Sequence, residues 1–260
     1  MPLQLRDGIK LFSEEVGRGS PTLLFVHGLM CDHRFWAPQV EHFSKKHRVV
    51  VVDLRGHGAS DAPAGEYTID LLADDLAWLC REINLDAPVV VGHSLGGVVA
   101  LQLAARRADR LRAVVILDSP IIPLESTRMI VAQHAAALRG SEWQAAQRLL
   151  TEWCFRPHSD PEVKAWVSAR AGAAQHVVAS LFENLFEVDT AAAAAACKLP
   201  VLYVSAGEAH VNLARFRELC PQLVTGQTVG GGHYHQLEVP EQINAMIDRF
   251  VAMHFSGNAA

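Results

Sequence analysis

Six short runs of apolar, mostly β-branched residues recur along the chain, and each ends near glycine, aspartate or proline. The runs are TLLFVHG (22–28), RVVVVDLRG (48–56), PVVVGHS (88–94), AVVILDSP (113–120), PVLYVSAGE (200–208) and LVTGQTVGGG (223–232). Their apolar residues are continuous, which is typical of strands buried on both faces of a parallel sheet. Helical patterns lie between them, at 35–45, 68–84, 95–107, 211–219 and 239–254. This alternation predicts an α/β fold with a mostly parallel, doubly wound sheet.

Residues 121–196 interrupt the alternation, because their composition favours helices and shows no strand pattern. We therefore predict a core formed by residues 1–120 and 197–260, with residues 121–196 inserted as a helical cap. The opening sequence LQLRDGIKLFSEEVG predicts an antiparallel hairpin at the sheet edge, turning at Asp7-Gly8.

The charge pattern of the chain argues against several classes of partner. The net charge is −5 and no run of Lys and Arg occurs, which argues against nucleic-acid binding. No stretch has the apolar length of a membrane span, and the N-terminus lacks a signal-peptide pattern. The five cysteines form no C-x-x-C pair and read as free thiols. We expect a cytoplasmic protein that binds a small-molecule substrate without a membrane or nucleic-acid partner; a homodimer is left open.

The sequence Gly92-His93-Ser94-Leu95-Gly96 fits the pattern G-x-S-x-G between a buried strand and a helix. On such a turn a serine hydroxyl projects above the sheet, and glycines are needed where a Cβ would clash. The pattern predicts that Ser94 is a nucleophile. A tight turn that merely contains serine is the alternative. A phosphate-binding loop is disfavoured, since no G-x-G-x-x-G register fits and no lysine follows.

The serine turn and four further motifs occur along the chain in the order found in the α/β-hydrolase fold family. The chain resembles that family, in its serine-nucleophile, esterase-like subgroup with a small helical cap. The motifs are His27-Gly28, DLRGHGASD (53–61), GHSLGG (92–97), GGGH (230–233) and LEVPEQI (237–243). The resemblance implies that the backbone N–H groups of Leu29 and Leu95 form an oxyanion hole. It also implies chemistry without a cofactor or a metal ion.

His233 matches the position of the family's catalytic base, because it follows three glycines and precedes Glu238 by five residues. His235 is the local alternative. A metal site on these two histidines is disfavoured, because no carboxylate or thiol cluster of suitable spacing accompanies them.

The catalytic acid departs from the family's usual pattern. In most relatives it follows the strand at 200–208, but His210 occupies the matching position. Some members resemble this chain in taking the acid from the end of the preceding strand, among them one subgroup of haloalkane dehalogenases and the cofactor-free quinaldine dioxygenases. We therefore predict Asp118 as the acid and Glu208 as the alternative, with a dyad or another acid also open.

The resemblance implies ester hydrolysis through an acyl-enzyme, as in a carboxylesterase. A serine at position 94 argues against the epoxide hydrolase and dehalogenase branches, whose nucleophile is aspartate. A cofactor-free dioxygenase of the quinaldine type, a perhydrolase or haloperoxidase-like activity, and a non-catalytic receptor-like or scaffold role remain as alternatives. Aromatic residues of the predicted cap form the expected acyl pocket, although each could equally hold the cap to the core: Trp143, Trp153, Phe155, Trp166, Phe182 and Phe186.

Overall fold

The fold is built on one eight-stranded sheet. A computed structural model describes residues 3–207 and 211–255. The strands are β1 (Leu3–Arg6), β2 (Ile9–Val16), β3 (Leu23–Val26), β4 (Val49–Asp53), β5 (Val89–His93), β6 (Ala113–Leu117), β7 (Val201–Ser205) and β8 (Leu223–Gln227). They lie in the order β1-β2-β4-β3-β5-β6-β7-β8. The six strands from β3 to β8 run parallel to one another, while β2 pairs in antiparallel direction with both β1 and β4.

The predicted hairpin is confirmed. β1 and β2 pair in antiparallel register, and the two residues between them, Asp7 and Gly8, have φ of +50° and +81°. Positive φ at both central positions is the requirement of a tight two-residue hairpin turn, which aspartate followed by glycine meets readily.

Helices cover the sheet and lie between its strands. They are α1 (Ala37–Phe43), α2 (Ile69–Glu82), α3 (Leu95–Arg106), α4 (Glu125–Arg139), α5 (Trp143–Trp153), α6 (Pro161–Ser168), α7 (Gln175–Glu187), α8 (Thr190–Ala196), α9 (Leu213–Leu219), α10 (His235–Glu238) and α11 (Pro240–Phe255). Within the part of the chain that the structure describes, no helix is long and apolar enough to cross a bilayer.

The central strands are buried on both faces, which explains their continuous apolar sequences. On β3, Leu24 and Val26 belong to the same apolar cluster as residues of α2 and α3. Leu23 and Phe25, which point the other way, pack in a second cluster with residues of α11. Because the central strands run parallel to one another, their carboxyl ends lie at the same edge of the sheet, where site residues can collect.

Five of the helices, α4 to α8, lie between β6 and β7; residues 121–196 are called the helical segment below. Its two ends are tied together, because the N–H of Ile122 donates to the hydroxyl of Thr190 at 2.9 Å. It also contacts the loop after β3, where the N–H of Gly172 donates to the carbonyl of Met30 at 2.8 Å. The segment therefore leaves and rejoins the sheet at one place and reaches over its carboxyl edge.

Candidate active site

Ser94 occupies the sharp turn between β5 and α3, with φ of +53° and ψ of −119°. Such a conformation costs a non-glycine residue about 1–3 kcal/mol and is held by its surroundings. Glycines permit it: a Cβ on Gly92 would overlap the carbonyl of Gly96, and a Cβ on Gly96 would overlap the carbonyl of Val26. Glycine therefore occupies the two positions where the turn packs closely against its own backbone and against β3.

Asp118 and His233 are in direct contact. The Nδ1 atom of His233 lies 2.7 Å from Oδ2 of Asp118. Asp118 follows β6 directly, and its other carboxylate oxygen accepts the N–H of Ala206 at 3.0 Å, just after β7. The acid therefore comes from the β6 end and is braced by the neighbouring strand.

The carboxyl group of Asp118 is held in its charged form. Burial alone would raise its pKa, because the charged form loses hydration. The hydrogen bond and charge attraction of His233 outweigh burial and lower the pKa of Asp118 well below its ordinary range. The anionic carboxylate of Asp118 accepts a hydrogen bond from the N–H at Nδ1 of His233, and this leaves Nε2 of that ring to face a reacting group.

A cavity of about 310 Å³ joins these side chains. Ser94, Asp118 and His233 all line it, together with Leu29. The structure thus brings together the residues proposed from sequence as nucleophile, acid, base and oxyanion-binding loop. The alternative acid, Glu208, lies outside the described residues, as does His210.

Three of the six predicted pocket aromatics line the cavity: Trp153, Phe182 and Phe186. The other three do not, and local packing explains why. The ring of Phe155 packs on Tyr234 at 5.4 Å, and Trp166 packs on Phe35 at 5.0 Å. Trp143 begins α5, and the ten residue steps from it to Trp153 span about 15 Å of helix.

The cavity wall also contains side chains that the sequence did not single out, namely Cys31, Cys154 and Tyr234. Both thiols contact the phenol of Tyr234. Burial raises the pKa of the Cys154 thiol to about 12 and that of Cys31 well above its ordinary value. Both thiols therefore stay protonated. They are weak nucleophiles, since only a thiolate is strongly nucleophilic. The position of Tyr234 directly after His233 was the one signal available for it.

Two neutral histidines hold the loop that carries Leu29. Nε2 of His57 accepts the N–H of Met30 at 3.2 Å, and Nε2 of His27 accepts the N–H of Leu54 at 3.0 Å. Each ring must then carry its proton on Nδ1, where His27 donates to the carbonyl of Gly28 at 2.8 Å. The loop after β3 is thereby fixed against β4. Leu95, the other expected donor, is the first residue of α3, where an N–H has no acceptor within the helix.

Burial keeps several histidines neutral and so couples folding to pH. Burial lowers the pKa of His57 to about 3 and that of His235 to about 4. The unfolded chain, with ordinary values near 6.5, binds protons at these sites before the folded chain does. Acidification from pH 7 to pH 5 therefore favours unfolding. Half-buried His33 acts in the opposite sense, because its hydrogen bond to Asp53 raises its pKa.

We expect the free energy of unfolding to fall between pH 7 and pH 5, with His57 and His235 contributing about 2 kcal/mol each. Urea titrations at the two pH values measure the fall. Substitution His57→Gln keeps an acceptor for Met30 and removes the titrating ring. This variant should therefore lose about 2 kcal/mol less than the parent on acidification. An equal loss in both proteins would contradict the assignment of His57 as a buried neutral ring.

One group of potential metal ligands occurs in the described part of the chain, formed by Asp32, His33 and Asp53. Its atoms are already engaged with one another and with the backbone. The carboxylate of Asp53 accepts the N–H groups of His33 at 2.6 Å and Ala59 at 2.8 Å, and it contacts Nδ1 of His33 at 2.9 Å. Asp32 caps the short 3₁₀ turn His33–Trp36. These bonds give the cluster a structural role in anchoring the loop after β3.

Comparison with known proteins places the chain among hydrolases. The model of the α/β-hydrolase fold family matches residues 21–240. Among curated proteins, 3-oxoadipate enol-lactonase 2 of Acinetobacter baylyi is 27% identical over 236 residues, covering 88% of this chain and 87% of that protein. Other curated relatives, epoxide hydrolases among them, are matched over about half of their length or less.

Solved structures extend the comparison to nearly the whole chain. The enol-lactonase of Burkholderia xenovorans LB400 has a TM-score of 0.87 at 24% identity, over 96% of this chain and 100% of that one, and shows a shared fold. A thermophilic esterase from Thermogutta terrifontis has a TM-score of 0.81 at 26% identity, over 97% of both chains. The relatives support a hydrolase as the broad class of activity. The chain belongs to the α/β-hydrolase fold family.

Proposed function

We propose that the protein is a serine hydrolase that cleaves small esters through an acyl-enzyme. Ser94 is the nucleophile, His233 the general base and acid, and Asp118 the carboxylate that orients His233. The observation that carries the proposal is the 2.7 Å contact between His233 and Asp118, in a cavity whose wall includes Ser94 on its strained turn.

The geometry supports a two-step reaction. The hydroxyl of Ser94 attacks the ester carbonyl while Nε2 of His233 takes its proton, and the backbone N–H groups of Leu29 and Leu95 bind the oxyanion. His233 then gives the proton to the departing alkoxide, which leaves as the alcohol. Water attacks the acyl-enzyme with His233 again as base, releasing the acid and restoring Ser94. Asp118 stabilises the imidazolium formed in each step.

The cavity favours a short acyl group. Its volume of about 310 Å³ is at the low end for small-molecule sites. Its wall includes Met30, Leu150, Phe182 and Leu185, and burial of apolar surface would supply most of the binding energy. The name of the Acinetobacter relative fits this class, since a lactone is a cyclic ester.

A fluorophosphonate probe and a series of p-nitrophenyl esters test the proposal. We expect the probe to modify Ser94, as peptide mass spectrometry would show, because a triad-activated serine attacks phosphorus as it attacks a carbonyl. Acetate to hexanoate esters should be hydrolysed about tenfold or more faster than the dodecanoate, whose chain exceeds the cavity. Absence of both labelling and hydrolysis would refute a serine hydrolase.

The origin of the acid favours a second candidate. Asp118 follows β6, and in this respect the chain resembles the cofactor-free quinaldine dioxygenases. In such a reaction His233, paired with Asp118, would deprotonate an aromatic hydroxyl, and the resulting anion would react with oxygen. Oxygen uptake with a panel of hydroxyquinolines, measured with an oxygen electrode, decides between the two. The same cavity with peroxide in place of water would give perhydrolase activity, which a peracid assay detects.

A further inference from the structure

We propose that His93, the residue before Ser94, is a positioning residue that holds the backbone of His233 at a fixed distance from the nucleophile. The inference rests on the proposed function, since it assigns a partner to the base of that reaction. The Nε2 atom of His93 lies 2.8 Å from the carbonyl oxygen of His233. The two imidazole rings lie against each other, with centroids 4.6 Å apart.

The hydrogen bond fixes the tautomer of His93. A carbonyl oxygen only accepts, so Nε2 of His93 must carry the proton and donate it. The other nitrogen, Nδ1, is then an acceptor that faces Gly28, where a Cβ would lie 3.0 Å away. Burial and the two nearby histidines, His233 and His235, lower the pKa of His93 well below its ordinary value, so the ring is neutral.

Packing alone does not account for a histidine at this position. Within residues 3–207 and 211–255, Nδ1 of His93 has no hydrogen-bond partner, although the side chain is only 1% exposed. An unpaired buried acceptor is costly, and an apolar side chain of similar size would fill the space without that cost. A histidine is explained at this position if its Nε2 atom supplies the hydrogen bond that holds the carbonyl of His233.

The loop that carries His233 needs such an anchor. Gly230, Gly231 and Gly232 precede it, and glycine leaves a backbone with the greatest conformational freedom. The N–H of His233 donates to the carbonyl of Cys154 at 3.0 Å, at the end of α5. With His93 on its carbonyl, both peptide groups of His233 are held, one by the helical segment and one by the nucleophile turn.

Asp118 and His93 therefore divide the work of placing the base. Asp118 orients the ring of His233 through Nδ1, whereas His93 locates the main chain from which the ring extends. Since His93 is covalently joined to Ser94, its bond couples the position of the base directly to that of the nucleophile. Misplacement of a reacting group by about 1 Å can cost about 100-fold in rate.

Two substitutions of equal chain length separate positioning from packing. Glutamine at position 93 offers an amide N–H at a reach similar to that of Nε2, and methionine fills the same space without a donor. We expect His93→Gln to keep kcat for a short p-nitrophenyl ester within about threefold, and His93→Met to lower it by about 10- to 100-fold. The KM of both should stay within about threefold, because His93 lines the cavity but each replacement side chain has a similar volume.

A spectroscopic readout tests the same inference without turnover. The proton shared by His233 Nδ1 and Asp118 should give a strongly downfield resonance in the parent and in His93→Gln, and a broadened or missing one in His93→Met. Thermal unfolding checks that each variant is folded. If His93→Met does not fold, His93→Asn replaces it, because asparagine is too short to reach the carbonyl of His233 and should show the same loss.

The outcomes are distinct. Equal kcat values and unchanged resonances in the glutamine and methionine variants would overturn the positioning role and leave His93 as packing. A double-mutant cycle that combines His93→Met with Asp118→Asn gives a further check. The double variant should lose less kcat than the product of the two single losses, because both residues act through His233. Fully multiplicative losses would count against the inference. Failure of the proposed function shows separately, as full turnover in Ser94→Ala.

Discussion

Substitution Ser94→Ala is expected to lower kcat for a short p-nitrophenyl ester by about 10⁴-fold or more. The variant lacks the oxygen that forms the acyl-enzyme, so His233 and Asp118 have no nucleophile to activate. The remaining rate would come from the oxyanion-binding loop and the cavity alone. Single-turnover measurements of p-nitrophenolate release give the size of this loss. The burst of p-nitrophenolate that accompanies acyl-enzyme formation should also disappear in the variant.

A second serine supplies the matched control. Ser119 lines the same cavity, but its hydroxyl donates to the carbonyl of Leu117 at 3.1 Å and is committed to the backbone. Ser119→Ala should retain most of the activity and the fluorophosphonate label on Ser94. Turnover that survives in Ser94→Ala would remove the serine mechanism.

Substitution Asp118→Asn is expected to lower kcat by about 10³- to 10⁴-fold. Asparagine keeps an oxygen that can accept the N–H of Ala206, so the junction after β6 should stay in place. Its amide cannot stabilise an imidazolium and can hold His233 in the tautomer with the proton on the wrong nitrogen. The change should fall on kcat, with KM nearly unaltered, in steady-state measurements on the same ester.

Glu208→Gln is the paired experiment, because Glu208 is the other acid that the sequence allows. We expect its kcat to stay within about threefold of the parent, since the contact with His233 is already made by Asp118. A large loss in Glu208→Gln together with a small one in Asp118→Asn would transfer the role of the acid to Glu208.

The strands and the nucleophile turn were predictable because their causes are local. Continuous apolar runs such as Val49–Asp53 follow directly from burial on both faces. Ser94 stands out because the glycines around it are demanded by contacts within a few residues and by β3. The contact between Asp118 and His233 joins positions 115 residues apart. It was foreseen only because the family's usual acid position holds His210.

The pocket could not be derived from the sequence to the same degree. Which aromatic faces the cavity depends on how each helix of the helical segment is rotated and tilted, and composition does not fix this. Phe155 and Trp166 are as aromatic as Phe182, yet they pack around Tyr234 and Phe35. The hydrogen bond from His93 to the base was equally inaccessible, because it depends on where a glycine-rich loop comes to rest.

The bond between Ile122 and Thr190 closes the helical segment on itself near Asp118. Residues 122–190 can therefore be viewed as a cassette with two adjoining ends. Exchange of that cassette between relatives would vary the ligand-facing wall and leave Ser94 and Asp118 on the retained side. The carbonyl of Cys154 accepts the N–H of His233, and a transplanted cassette must reproduce this contact to the triad.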